Sequence, residues 1–194
     1  MKTILMTGAA GGIGSYLRPE LSGKYELRLS DRASVSALGE GERFVAADLT
    51  DLDAVCAAVD GVDGILHFGG HASEGIWEDI LDANIIGMRN VYEAARVCGV
   101  KRVVWASSNH AVGFYRRDQT IDHTVYPKPD SRYGVSKVFG EAMGVFMPTS
   151  TALRSSIFVS AMSQPSLSTS GGWRYGSVHV TWRNSVPSDW IIPR

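Results

Sequence analysis

Ile4-Leu5-Met6-Thr7-Gly8-Ala9-Ala10-Gly11-Gly12-Ile13-Gly14 is the stretch from which the rest of the chain can be read. Ile4 to Met6 is a short, continuous apolar run, as expected for a strand covered on both faces. Gly8, Gly11 and Gly14 follow at G-x-x-G-x-x-G spacing, and residues 13–21 read as a helix. A dinucleotide pyrophosphate needs this order of elements. One glycine makes the tight turn, one lets backbone approach the phosphates, and one lets helix and strand pack closely. The helix N-terminus adds N–H donors and a partial positive charge. A glycine triplet alone fits any tight strand–helix turn. Its place between a strand and a helix, with Asp31 closing the next strand, favours the dinucleotide.

Working outward, strands are expected at residues 25–30, 43–46, 62–68 and 103–107. Helices are expected at 52–59, at 76–98 with one interruption, and at 133–145. Strands alternating with helices predict an α/β fold, a Rossmann-type doubly wound parallel sheet. Residues 1–145 form the expected dinucleotide-binding domain, and 146–194 a divergent tail. From Met147 to Arg194 there is no lysine or glutamate, the one aspartate is Asp189, and helical periodicity fades.

The 194 residues suit one well-buried domain better than two. A net charge of -1 gives no reason to expect nucleic acid or an anionic membrane as partner. Cys56 and Cys98 read as buried thiols inside helix-like stretches, and no metal site is expected. Neither a membrane span nor a signal peptide is legible, so the expected location is cytoplasmic.

Asp31 lies where a carboxylate accepts hydrogen bonds from the adenosine ribose and repels a 2′-phosphate, which favours NAD over NADP. Arg32 beside it works the other way. Asp48-Leu49 suits the adenine edge, with a helix-capping carboxylate as an almost equal reading of Asp48. Phe68-Gly69-Gly70 allows backbone to approach the middle of the cofactor.

Tyr133 and Lys137 stand at i and i+4, on one helix face. A phenol titrates near 10 (about 10 in model peptides), and a neighbouring cation brings it toward the working range of a general base. Lys137 can also hold the nicotinamide ribose. The cluster Ser107-Ser108-Asn109-His110 ends a strand at the edge where such sheets bind ligands. A serine hydroxyl there can orient a substrate oxygen. A turn cluster is the plainer alternative, most plausible for Asn109.

These motifs resemble the extended short-chain dehydrogenase/reductase superfamily, and more closely the bacterial uronate dehydrogenases. The residues that carry the resemblance are Thr7 to Gly14, Asp48-Leu49, His67 to Gly70, Asn84-Ile85-Ile86-Gly87, Tyr92 to Arg96, Ala106 to His110, Tyr133 to Lys137 and Phe139-Gly140-Glu141. The resemblance implies Ser108, Tyr133 and Lys137 as the catalytic set, with Asn109 and His110 contacting substrate. The family's serine after the Gly-Gly pair falls here in His71-Ala72-Ser73, with Ser73 as the substitute. The implied reaction is NAD-dependent oxidation of a hexuronate, glucuronate or galacturonate, at C1 to an aldarolactone. The implied partner is a small sugar acid, and homo-oligomerisation stays open. Two other readings remain: a nucleotide-sugar epimerase or dehydratase, and a non-catalytic NAD-binding fragment.

The resemblance stops near Val145, so the substrate region is expected to be incomplete. When the third base of each codon is read with the first two of the next, residues 146–160 can encode Y-A-D-K-Y-G-I-E-V-V-Y-L-R-I-G. That is what the family would show after this helix, and it points to a frameshift. The expectation is a sheet without its sixth-strand neighbour, lacking the arginine that strand would carry for the substrate carboxylate. The tail from about Ser163 is expected to be poorly ordered.

Overall fold

The computed structural model describes residues 1–150 apart from 36, 117 and 123, together with the backbone of residues 154–160 and 182–183. Strands β1 (Thr3–Thr7), β2 (Glu26–Asp31), β3 (Glu42–Ala46), β4 (Gly64–His67), β5 (Arg102–Ser108), β6 (Arg154–Ser160) and β7 (Trp182–Arg183) form one sheet. Its order is β3-β2-β1-β4-β5-β6-β7, and all pairs are parallel except β6 with β7. The helices are α1 (Gly12–Leu21), α2 (Leu52–Val59), α3 (Trp77–Ile80), α4 (Gly87–Val97) and α5 (Arg132–Ser150).

Successive residues of β1 point to opposite faces of the sheet and feed two cores. Leu5 joins Val55, Val59, Ile65, Val91, Tyr92, Val103 and Trp105 on one face. Ile4 and Met6 join Leu27, Leu29, Leu66 and Val104 on the other. Burial on both faces is why β1, β4 and β5 carry unbroken apolar runs, while β2 alternates Leu27 and Leu29 with the buried polar Arg28 and Ser30.

The interruption expected in the 76–98 helix is a π-helical turn, Leu81–Ile86, between α3 and α4. Such turns widen a helix locally and recur at functional sites. Helix α5 runs five residues past its expected end at 145. Cys56 and Cys98 are only partly buried, packed against the core edge, so they are not the fully buried thiols expected.

The expectation of a missing sixth strand is corrected. Residues 154–160 pair with β5 over its full length, from Arg102↔Arg154 to Ser108↔Ser160. A parallel ladder is made by backbone groups, so an open edge can be covered by an extended segment of unfamiliar sequence. The apolar trio Ile157-Phe158-Val159 suits it. The expected disorder beyond Ser163 lies outside the described residues, except at Trp182–Arg183, which pairs antiparallel with Phe158 and Ile157. No described helix is long and apolar enough to cross a membrane.

Candidate active site

The site lies at the carboxyl ends of β1, β4 and β5, where the strand order turns back on itself between β1 and β4. Gly8 has φ +68°, and a Cβ there would sit 2.5 Å from Gly69 N and the Phe68 carbonyl carbon. The β1–α1 turn and the loop after β4 therefore touch backbone to backbone, which only glycine permits. A Cβ on Gly14 would run into the Gly8 carbonyl, while Gly12 faces open space. Gly11 is the N-cap of α1 and supplies no side-chain cap, so the first N–H groups of that helix remain available to an anion. Ile13 lies half-buried in the first turn of α1.

Asp31 leans over this turn. Its carboxylate accepts from Ala10 N and Ala33 N, each at 3.1 Å. Asp48 is not the helix cap; Asp51 is, accepting from Asp53 N at 3.0 Å and Ala54 N at 3.1 Å. Asp48 instead accepts from the amide and hydroxyl of Thr50, at 2.9 and 2.8 Å. The Thr50 amide first and its hydroxyl second hold the Asp48 carboxyl below its ordinary range, and the Arg32 charge adds to this. Leu49 packs where a Cβ on Gly69 or Gly87 would stand, 2.8 and 2.9 Å from its side chain. Gly69 N donates to Thr7 Oγ1 at 3.3 Å, and Gly70 follows with φ +137°. These features fit a dinucleotide: uncapped helix amides, backbone in close approach, and a carboxylate at the end of β2.

Ser108, Tyr133, Lys137 and His110 are brought together. Ser108 ends β5, and its hydroxyl is the polar group that acts on the Tyr133 phenol. Its hydroxyl also donates to Asn109 Oδ1 at 3.2 Å and accepts from His110 N at 3.2 Å. The His110 ring meets Tyr133 edge-on, with centroids 5.6 Å apart. Lys137 Nζ donates to the Ala106 carbonyl at 2.9 Å and lies 5.1 Å from the centre of the Tyr133 ring. Burial lowers the Lys137 ammonium to about 8. Burial likewise pushes the Tyr133 phenol above its ordinary value, and the Ser108 hydroxyl pulls it part of the way back. The expectation that a cation beside Tyr133 lowers its pKa is therefore not met, because desolvation of the phenolate is the largest effect. Ser73 is not drawn into the cluster; its hydroxyl sits 3.5 Å from the Glu74 carbonyl.

Several residues of the site were given no role by the sequence reading, although Asn84 stood in one of its motifs. Asn84, inside the π-turn, is buried: its Oδ1 accepts from His71 N at 2.6 Å, and its Nδ2 donates to His71 O and Ser136 Oγ. Asn90 donates to the carbonyls of Leu49 and Thr50, fixing the Asp48 loop. Asp130 holds His110, and Glu74 with Arg132 joins the loop after β4 to α5. The available signal was a polar residue on an apolar helix face, which marks Asn84 and Asn90 but not the ion pairs.

Residues 4–154 match the NAD dependent epimerase/dehydratase family. A uronate dehydrogenase of Pseudomonas putida is 51% identical over 145 residues, 74% of this chain and 54% of that protein. A crystal structure of a uronate dehydrogenase mutant from Agrobacterium tumefaciens, complexed with NAD, superposes with a TM-score of 0.77 at 43% identity, covering 80% of this chain and 59% of that one. A glucuronic acid dehydrogenase from Chromohalobacter salexigens gives the same TM-score at 46% identity, covering 79% and 58%. The chain spans about half the length of the curated relatives it matches. With the glycine turn, the strand order and the Ser108–Tyr133–Lys137 cluster in place, the chain belongs to the NAD dependent epimerase/dehydratase family.

Proposed function

We propose that this fold serves the NAD-dependent oxidation of a hexuronate, glucuronate or galacturonate, at C1 to the aldarolactone. The observation that carries the reading is the meeting of Ser108, Tyr133 and Lys137 at the carboxyl edge of the same sheet whose first strand leads into the uncapped N-terminus of α1. The names of the relatives supply the substrate class.

Gly8, Gly11, Gly12, Ile13 and Gly14 would hold the pyrophosphate, Asp31 the adenosine ribose, and Asp48 and Leu49 the adenine edge. Phe68, Gly69 and Gly70 would face the middle of the cofactor, and Tyr133 with Lys137 the nicotinamide ribose. NAD, when bound, supplies the acceptor for the hydride that leaves C1. The chain's own part is the proton. Tyr133 Oη, as phenolate, takes it from the C1 hydroxyl, and the Ser108 hydroxyl donates to the same substrate oxygen as its carbonyl forms. Because burial works against the phenolate, the charge on Lys137 is the group that must stabilise it. Asn109 and His110 face the sugar acid.

The domain division proposed is 1–145 for this machinery and 146–194 for a tail displaced by a frameshift. The nucleotide sequence of the gene tests the frameshift, which fails if the synonymous codons are incompatible with the second frame. NADH formation from NAD with glucuronate and galacturonate, by this chain and by a frame-restored version, tests the function. Turnover by both supports the reading for this chain. Turnover by the restored version alone supports the site and favours the second reading, a non-catalytic NAD-binding fragment. Silence from both removes the uronate assignment and favours the alternative of a nucleotide-sugar epimerase or dehydratase, epimerase and dehydratase being the reactions in the family's description.

A further inference from the structure

Tyr133 is the second residue of α5, and both of its peptide groups are held by other side chains. Its N–H donates to Glu74 Oε2 at 3.1 Å, across 59 positions of sequence. Its carbonyl accepts from Ser136 Oγ at 2.7 Å, and Ser136 accepts in turn from Asn84, which holds His71. The other oxygen of Glu74 pairs with Arg132 Nη1 at 2.9 Å. That same nitrogen donates to the Gly75 carbonyl at 3.1 Å, and the guanidinium lies 5.9 Å from the centre of the Trp77 ring.

Glu74 is not the only side chain that accepts from the first turn of α5. Ser131 already caps it, accepting from Gly134 N at 2.9 Å. The Glu74–Arg132 pair is also half-exposed, a setting in which an ion pair adds little to stability. What the pair does provide is geometry. It straps residues 71–77, the wall of the site after β4, to the peptide of the residue that must meet the substrate oxygen.

We infer that Glu74 is a positioning residue for Tyr133, and that with Arg132 it latches the β4–α3 loop to the catalytic helix. Glu74 takes no part in the proton transfer. It fixes where the phenol stands, and an error of an ångström there is expensive in rate. The inference rests on the proposed role of Tyr133, so its test needs a readout that does not depend on turnover.

Amide hydrogen exchange in the full chain with NAD provides that readout, using Glu74→Ala, Glu74→Gln and Arg132→Met. Glu74→Ala should raise exchange at the Tyr133 amide and across residues 71–77 about tenfold. Glu74→Gln, which keeps the acceptor and loses the charge, should restore Tyr133 but leave the loop fast. Arg132→Met should loosen the loop alone. Where the wild-type chain turns over uronate, Glu74→Ala should lower kcat about tenfold or more with KM for NAD unchanged, and Glu74→Gln should recover most of it. Unchanged exchange at Tyr133 in Glu74→Ala overturns the inference. So does faster exchange with kcat intact. A wild-type chain that binds NAD without turnover bears on the proposed function, leaving this chain to the non-catalytic reading, and the exchange pattern still decides the latch.

Discussion

The His110 ring nitrogen Nδ1 lies 2.8 Å from Asp130 Oδ1, and the same imidazole stands edge-on to Tyr133. Burial raises the Asp130 carboxyl, but the His110 and Ser131 hydrogen bonds more than offset it and leave the pKa below its ordinary value. Asp130 therefore stays an anion and orients Nδ1 as the donor, which leaves Nε2 free of that pairing. In Asp130→Asn that orientation is lost. We predict that KM for the uronate rises about tenfold, in line with a hydrogen bond to a charged group, while NAD affinity stays the same. Steady-state kinetics with separate NAD titrations would show it, and an equal loss in both would count against the assignment.

Lys137 should make cofactor binding sensitive to alkali. Burial lowers its pKa to about 8, so the cation is complete below that value and lost above it in the unliganded chain. Affinity for NADH, followed by its fluorescence, should weaken between pH 7 and pH 9. Lys137→Arg keeps its charge throughout and should flatten that profile. Lys137→Met should cost about 100-fold or more in turnover. A wild-type affinity that does not change with pH would mean the cation is not what holds the ribose.

His67 carries a prediction about stability. It is buried, with Nδ1 2.7 Å from Thr7 Oγ1, and burial first, then the charge on Lys137, lowers its pKa to about 3. The unfolded chain binds a proton at this residue near pH 6.5, while the folded chain refuses it down to about 3. Its contribution is therefore complete above about 6.5 and is lost progressively as the pH falls, at up to about 1.4 kcal/mol per unit. Thermal unfolding of the wild type and His67→Gln between pH 4 and pH 7 would test this. The mutant should show the shallower acid slope.

Cofactor choice should turn on Asp31 and Arg32. The Asp31 carboxylate is held over the glycine turn by Ala10 and Ala33, and Arg32, next in the chain, carries a charge that reaches Asp48. Asp31→Ser should remove the repulsion of a 2′-phosphate and leave Arg32 to attract it. We predict that the ratio of NADPH to NADH affinity rises about tenfold or more. Fluorescence titration with both cofactors measures it; an unchanged ratio would show that Arg32 points elsewhere when the cofactor is bound.

The sequence by itself determined the elements whose physics is local. The apolar run of β1, the glycines at 8, 11 and 14, and the i, i+4 spacing of Tyr133 and Lys137 each imply their geometry within a few residues. Parallel strands buried on both faces then leave little choice of topology. Tertiary structure alone decided the rest. The pairing of Glu74 with Tyr133, of Asp130 with His110 and of Asn84 with Ser136 joins residues separated in sequence by 59, 20 and 52 positions. No period or spacing encodes such contacts. The pKa of Tyr133 was settled there too, because desolvation depends on how deeply the packed chain surrounds the phenol, whatever residue stands four positions away. The sixth strand was decided in the same way. The edge of β5 offered unpaired backbone, and residues 154–160 met it through groups that every sequence carries.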